Sequence, residues 1–426
     1  MIKDRAILHC DLNNFFASVE VILNPALRGN AVAVCGDPKK RHGIVLAKCE
    51  IAKRHGVKTG DTVNEAEKKC PSIIIVCPQH NEYSKYSRKV REIYYRFTDK
   101  VESFGIDECW LDVTNSKLLF GTGEQIAEKI KSTVKEELGL TISIGVSWNK
   151  TYAKLGSDFK KPDAITIISR QNYRNIIYPS PISSMLYVGR KTRQMFERMN
   201  IKTIGDLANF DPALLRARMG IMAAKLIQAA RGEDDDEVMN FLHKDDVKSV
   251  GNGATLARDL TTVRQVEKVI YVLAEEVGTR MRRKGVQGKT ISLGIRGNDL
   301  KWTGAQASIQ SPTHNPMKIT HEAMKIFNTL WNVGNIGVGT GEFLLSKKES
   351  LEPIRSLRVA VSNLTDAQMS QLDFLDRSEI YSDDLTKTFD NLRKKYGSSS
   401  ISFAMGIGAE LEIEFEVLDG VSILPT

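Results

Sequence analysis

Apolar and polar positions alternate between two periods along this chain. Residues 6–11 (AILHCD) form a short apolar run ending on an acid, which predicts a buried strand. Phe15, Phe16, Val19 and Ile22 follow at helical spacing. Residues 32–35 and 44–47 read as two more strands, and a Lys-rich amphipathic helix comes next, near 50–55. Pro71 and Pro78 bracket the strand SIIIVC, and a long amphipathic helix runs from about 81 to 98. The segment VESFGIDECWLDVT reads as two strands folded about a glycine-containing bend. A helix over 123–138 then leads into the strand TISIGVSW.

Strand, helix, hairpin, helix, strand is the plan of a ferredoxin-like α+β sheet, here with residues 20–75 inserted after the first strand and helix. Beyond Ser169, short helices punctuated by Gly and Pro continue to Gly232. Five consecutive acids, Glu233, Asp234, Asp235, Asp236 and Glu237, lack apolar periodicity and predict a solvated linker. After Lys248 come the strand KTISLGIR, helices over 266–284 and 318–331, and a last strand SLRVAVSNL, which predict a second α+β domain.

Composition narrows the class. A chain of 426 residues is too long for one small core, so several domains are expected. No apolar run reaches the roughly 18 residues that span a bilayer, and MIKDRAILHCDL lacks a signal-peptide layout, so a cytoplasmic protein is expected. The cysteines, Cys10, Cys35, Cys49, Cys70, Cys77 and Cys109, show no C-x-x-C spacing and no histidine pair, which predicts reduced thiols and no zinc site. Net charge is +8, unevenly placed: residues 248–364 carry 17 basic against 9 acidic groups, and residues 365–426 carry 5 against 12. A basic body with an acidic tail suits a polyanionic partner held by the body.

In the predicted sheet the first strand neighbours the central hairpin, which brings Asp11, Asp107 and Glu108 to one edge. Each acid alone could be a helix cap or a turn residue. Together they repel, and hard divalent cations such as Mg2+ or Mn2+ relieve that repulsion. Two such ions can activate a hydroxyl and stabilise a pentavalent phosphate and its leaving group.

Three ordered motifs turn this constellation into a family resemblance. The segment Asp11-Leu12-Asn13-Asn14-Phe15-Phe16-Ala17-Ser18-Val19-Glu20 resembles the first motif of Y-family translesion DNA polymerases. Phe104-Gly105-Ile106-Asp107-Glu108-Cys109 resembles their S-I-D-E-A segment, with Gly105 for the serine. SIGVSWNKTYAKLGSDFKKPDAITII resembles their third block. The resemblance implies a DinB/UmuC-like, bacterial-type enzyme: a ferredoxin-like palm (1–20 and 76–168), fingers (21–75), a helix-hairpin-helix thumb (169–232), a linker (233–247), a little finger (248–364) and an acidic extension (365–426). Asn13, in place of an acid of the DinB branch, leans toward the UmuC-like branch.

It further implies low-fidelity, template-directed synthesis by two-metal transfer from a dNTP to a primer 3′ hydroxyl. Asp11, Asp107 and Glu108 would hold two Mg2+ ions, with Mn2+ a substitute and the Leu12 carbonyl contributing. Asn14, Phe15 and Phe16 would face the nucleotide, Phe16 as the steric gate against a 2′-hydroxyl, and Lys53 and Lys161 would meet the triphosphate. Glu50 stands where relatives carry a tyrosine, which leaves the fingers' grip incomplete. Primer-template DNA would lie on Gly189, Lys191 and Gly220 of the thumb hairpins and on Arg258, Arg282, Arg283, Lys289 and Arg296 of the little finger. Gln371, Leu372, Phe374 and Leu375 resemble the peptide that docks on the bacterial sliding clamp. A monomer with no membrane contact is implied. The alternative is a non-catalytic DNA- and clamp-binding scaffold of the same family.

Overall fold

A computed structural model describes residues 5–37, 43–240, 247–331, 351–367, 378–397 and 400–401. These fall into two compact units, one of residues 5–36 and 43–240, the other from 247 onward.

The first unit opens with β1 (Ile7–Leu12) and α1 (Phe15–Leu23). An inserted lobe follows: β2 (Val32–Cys35), β3 (Val45–Lys48), α2 (Glu50–Arg54), α3 (Val63–Lys69) and β4 (Ile74–Val76). Its three strands pair in the order β3-β2-β4 over a small core of Ala33, Cys35, Val45, Ala52 and Ala66. Then come α4 (His80–Tyr95), β5 (Val101–Ser103), β6 (Glu108–Asp112), the single turn α5 (Lys117–Phe120), α6 (Gly123–Leu138), β7 (Ile142–Ser147), α7 (Lys150–Phe159) and β8 (Ile165–Ile167).

The main sheet has the order β5-β6-β1-β7-β8, the expected ferredoxin-like arrangement with β8 added in parallel beside β7. β1 lies in the middle and is buried from end to end. Alternation divides its side chains. Leu8, Cys10 and Leu12 join Cys109, Leu111, Ile93 and Ile130 in the main core. His9 and Asp11 point to the opposite face, beside Trp110 and Glu108, their register partners on β6.

Helix α7 covers that second face. Gly145, the partner of His9 on β7, makes the close approach possible: a Cβ there would stand 1.9 Å from the Ala153 carbonyl oxygen and 2.5 Å from the Ser157 amide. The remaining helices, α8 (Tyr173–Ile176), α9 (Arg190–Arg198), α10 (Ile204–Ala208), α11 (Pro212–Met219) and α12 (Ile221–Arg231), pack about Phe196, Ile204, Leu207 and Leu226.

The acidic run after α12 keeps most of its acids exposed, as expected, but the chain around them is fastened to the unit. Trp148 Nε1 and Asn149 Nδ2 donate to the Gly232 carbonyl at 2.9 and 3.0 Å, and Asp234 accepts from the Thr151 hydroxyl at 2.8 Å. Val238 is buried with Ile7, Trp110 and Ala153, and the Met239 amide donates to Glu102 at 2.9 Å. Donors at the start of α7 engage the Gly232 carbonyl and Asp234 while Glu233, Asp235, Asp236 and Glu237 stay exposed, so residues 232–240 form a strap laid along the sheet.

In the second unit, β9 (Ser249–Leu260), α13 (Val263–Arg283), β10 (Val286–Gly297), β11 (Trp302–Thr313), α14 (Pro316–Leu330) and β12 (Ile354–Asp366) form an antiparallel sheet, β11-β10-β12-β9, with both helices on one face. β11 was not legible in the sequence because most of its residues are polar and exposed, as an edge strand permits. A further helix, α15 (Ser378–Tyr396), lies within the segment read as an acidic extension. It is fastened to α13 by Arg282 to Asp390 (2.6 Å) and Arg393 to Glu275 (2.7 Å).

Candidate active site

Asp11 and Glu108 are direct partners across β1 and β6, so their carboxylates emerge side by side. Gly105, at φ 101°, turns the preceding bend through a conformation that side chains disfavour. The turn brings the Asp107 carbonyl to the Leu12 amide at 3.1 Å. Among the described residues, ligand atoms of His9, Asp11 and Glu108 lie within 4.8 Å of one another. Asp107 stands just outside that trio, half-buried; burial, then the charges of Glu108 and Asp11, push its carboxyl up to about 6. Burial, reinforced by Glu108, also raises Asp11.

Positive charge is already drawn to these acids. Lys154, buried on α7, reaches Glu108 Oε2 at 2.9 Å, Asp11 Oδ2 at 3.2 Å and Asp158 at 3.4 Å. Lys161 bridges Asp11 (2.6 Å) and Asp158 (2.7 Å). Burial works against both ammonium groups, yet the surrounding carboxylates hold both pKa values above the ordinary one. The pair Lys154 and Asp11 both shift upward; the lysine is charged, and the rise at Asp11 reflects burial that its partners do not fully offset. Three neighbouring carboxylates, Asp11, Asp107 and Glu108, that attract two ammonium groups and keep Asp107 raised fit hard divalent cations.

The other expected residues divide. Phe15 is 3% exposed in the main core, so its ring is not a nucleotide contact; the helical turn that exposes Phe16 turns Phe15 inward. Phe16 is half-buried, its ring stacked on Tyr83 at 4.2 Å. Asn14 takes a left-handed conformation (φ 50°) at the start of α1. Lys53 lies on α2, half-exposed, 3.7 Å from Glu50, the residue in the tyrosine position. Asn13 is buried against the Ser143 hydroxyl at 2.8 Å.

His9, Lys154, Asp158, Tyr83 and Glu20 were not singled out from the sequence. Tyr83 donates its hydroxyl to buried Glu20, which also accepts from Gln79 Nε2 at 2.9 Å. Lys154 carries its charge inside the continuously buried run 152–157, a setting that the sequence does not display.

Gly189 is the N-cap of α9, beside exposed Lys191, and Gly220 (φ 59°) joins α11 to α12; both loops are exposed. In the second unit Arg258 and Arg283 are exposed, Lys289 sits at the irregularity between Gly288 and Thr290, and Arg296 donates to the Leu300 carbonyl at 2.9 Å. Arg282 must be corrected: its side chain is 8% exposed and engaged with Asp390, so it holds α15 and is not a free DNA contact. Trp302 and Arg358, not anticipated, share with Arg296 the sheet face opposite the helices. Gln371, Leu372, Phe374 and Leu375 lie outside the described residues.

Residues 10–158 match the model of the impB/mucB/samB family, and residues 247–374 match that family's C-terminal domain. A "DNA polymerase IV" of Acetivibrio thermocellus is 42% identical, over 93% of this chain and 96% of its own. The chain belongs to the impB/mucB/samB family. Another member, "DNA polymerase IV 2" of Bacillus subtilis, is 33% identical over 96% of each chain. These relatives set the chain among bacterial, DinB-like Y-family DNA polymerases, not in the UmuC-like branch toward which Asn13 leaned. The fold is shared with "Y-family DNA polymerase chimera Dbh-Dpo4(243-245)-Dbh", at TM-score 0.70 and 23% identity over 84% of this chain and 98% of that one. Impb/mucB/samB membership makes the protein a divalent-metal-dependent, DNA-directed DNA polymerase.

Proposed function

We propose that the chain extends a primer opposite distorted as well as intact templates, with Asp11, Asp107 and Glu108 holding two divalent cations. The observation that carries this is the register pairing of Asp11 with Glu108, with Asp107 beside them raised by burial and by the charges of Glu108 and Asp11. When bound, the cations supply activation of the primer 3′ hydroxyl and stabilisation of the pentavalent phosphate and pyrophosphate. Oxygen donors alone favour Mg2+, with Mn2+ able to substitute.

Phe16, braced by Tyr83, closes the space beneath the sugar and rejects a 2′-hydroxyl by collision. Lys161, held by Asp158 as well as Asp11, carries charge toward the triphosphate, and Lys53 adds a second ammonium from the fingers. The palm, fingers and thumb correspond to the sheet, the inserted lobe and the α8–α12 helices. Amides at Gly189 and Gly220 meet phosphates of the primer-template, as do Arg258, Arg283, Lys289 and Arg296 from the little-finger unit. Residues 371–375 dock on the sliding clamp, and the enzyme works as a monomer in the cytoplasm.

Primer extension with Mg2+ on undamaged and damaged templates tests this. The Asp107→Ala, Glu108→Ala double variant is expected to bind primer-template normally and leave it unextended. Retained extension would overturn the metal assignment, and a wild-type protein that binds without extending would favour the scaffold.

A further inference from the structure

The reaction just described gives no task to His9. Its ring is fully buried and lies edge-on to Trp110, with centroids 5.1 Å apart. Nδ1 is 2.8 Å from Ser157 Oγ. Nε2 is 3.3 Å from Glu108 Oε2 and has no other hydrogen-bond partner among the described residues.

A neutral imidazole carries one N–H, and its partners decide which nitrogen holds it. With the proton on Nδ1, the Nε2 lone pair would face a carboxylate oxygen whose cationic neighbour is Lys154, at 2.9 Å, and would itself be left without a donor. With the proton on Nε2, Ser157 donates its hydroxyl to Nδ1 and the Nε2 proton lies on the Glu108 side, 3.3 Å from Oε2 but not yet in hydrogen-bond geometry. Ser157 is able to do so. Its other neighbour, the Lys154 carbonyl at 2.8 Å, lies inside α7, where the Asp158 amide already serves it.

We propose that His9 is a positioning residue for Glu108: Ser157 fixes the imidazole tautomer, and Nε2–H holds one carboxylate oxygen so that the other faces the cations. This deepens the reading of Glu108 as a metal ligand and rests on it. The 3.3 Å separation is long for a charge-assisted bond, and such bonds often tighten only when the reacting complex assembles. Register makes the arrangement economical, because β1 carries Asp11 and His9 on one face and β6 carries Glu108 opposite the former.

Manganese binding to the full-length protein, followed by the EPR signal of free Mn2+ without DNA or nucleotide, reads the site without turnover. Loss of an outer hydrogen bond to a metal ligand weakens affinity by about 10–100-fold, and His9→Phe is expected in that range. His9→Gln, whose amide N–H can take the place of Nε2–H, should restore most of the loss. Ser157→Ala should weaken binding in the same direction, but less. Circular dichroism and primer-template affinity check folding; if His9→Phe does not fold, His9→Gln and Ser157→Ala carry the test. Unchanged Mn2+ affinity in the His9 and Ser157 variants, while Glu108→Gln loses it, overturns the positioning role alone. Unchanged affinity in Glu108→Gln as well overturns the metal reading beneath it. Direct nitrogen hyperfine coupling to bound Mn2+ would make His9 a ligand and also overturn the proposal.

Discussion

Asp107 and Phe16 show what single side chains decide. The folded pKa of Asp107, about 6, lies above its unfolded value near 4, so the folded state binds that proton more tightly. Without divalent ions, stability from this group is therefore lost as pH rises from about 4 to about 6, and stays level above. Asp107→Asn should remove that slope and raise metal-free stability at pH 7.5 by about 1–2 kcal/mol, a figure discounted for partial exposure, while abolishing extension. Urea unfolding in EDTA across pH checks both. Phe16→Ala is expected to raise ribonucleotide incorporation by roughly tenfold or more, which corresponds to about 1.4 kcal/mol of lost exclusion; competition between dNTP and rNTP measures it. The three acids and the gate were legible because each belongs to a short motif. Lys154, Tyr83 and His9 were not, since their roles depend on which face of a buried strand or helix they occupy.

Among elements, α7 has the largest influence on the site, and Gly145 governs its seating. Gly145→Ala would drive a methyl group against backbone of α7 that cannot yield locally. It should cost about 1–3 kcal/mol or more, and it should lower extension by drawing Lys154 and Lys161 away from Asp11. Thermal melting and primer extension on one preparation separate the two effects. The sequence made β1, the hairpin and α6 legible through clear periodicity, and with them the sheet order. It concealed β11 and α15, whose polar residues carry little pattern, and it did not show that the largely exposed acidic run is tied down at its ends. Its ties run from Gly232, Asp234 and Val238 to Trp148, Thr151 and Ile7, far away in the sequence, a relation no local window contains.

At the scale of the whole molecule, charge should govern how DNA is held. Replacing Arg258, Arg283 and Arg296 by Ala is expected to lower the slope of log affinity against log salt by roughly one for each phosphate contact removed. Arg282→Ala should leave that slope nearly unchanged and instead lower the melting temperature, because it releases Asp390 and α15. Binding isotherms over a salt series, read beside calorimetry, distinguish them. The strap after α12 also sets how short the first unit can be made. A fragment ending at residue 232 would contain every helix of that unit yet uncover Ile7, Trp110 and Ala153, which Val238 shields. Burial of one valine contributes about 1.5–3 kcal/mol, so a fragment carried through residue 240 should melt several degrees higher than one stopped at 232. Limited proteolysis should likewise spare this acid-rich stretch, although its composition looks like an invitation to cut.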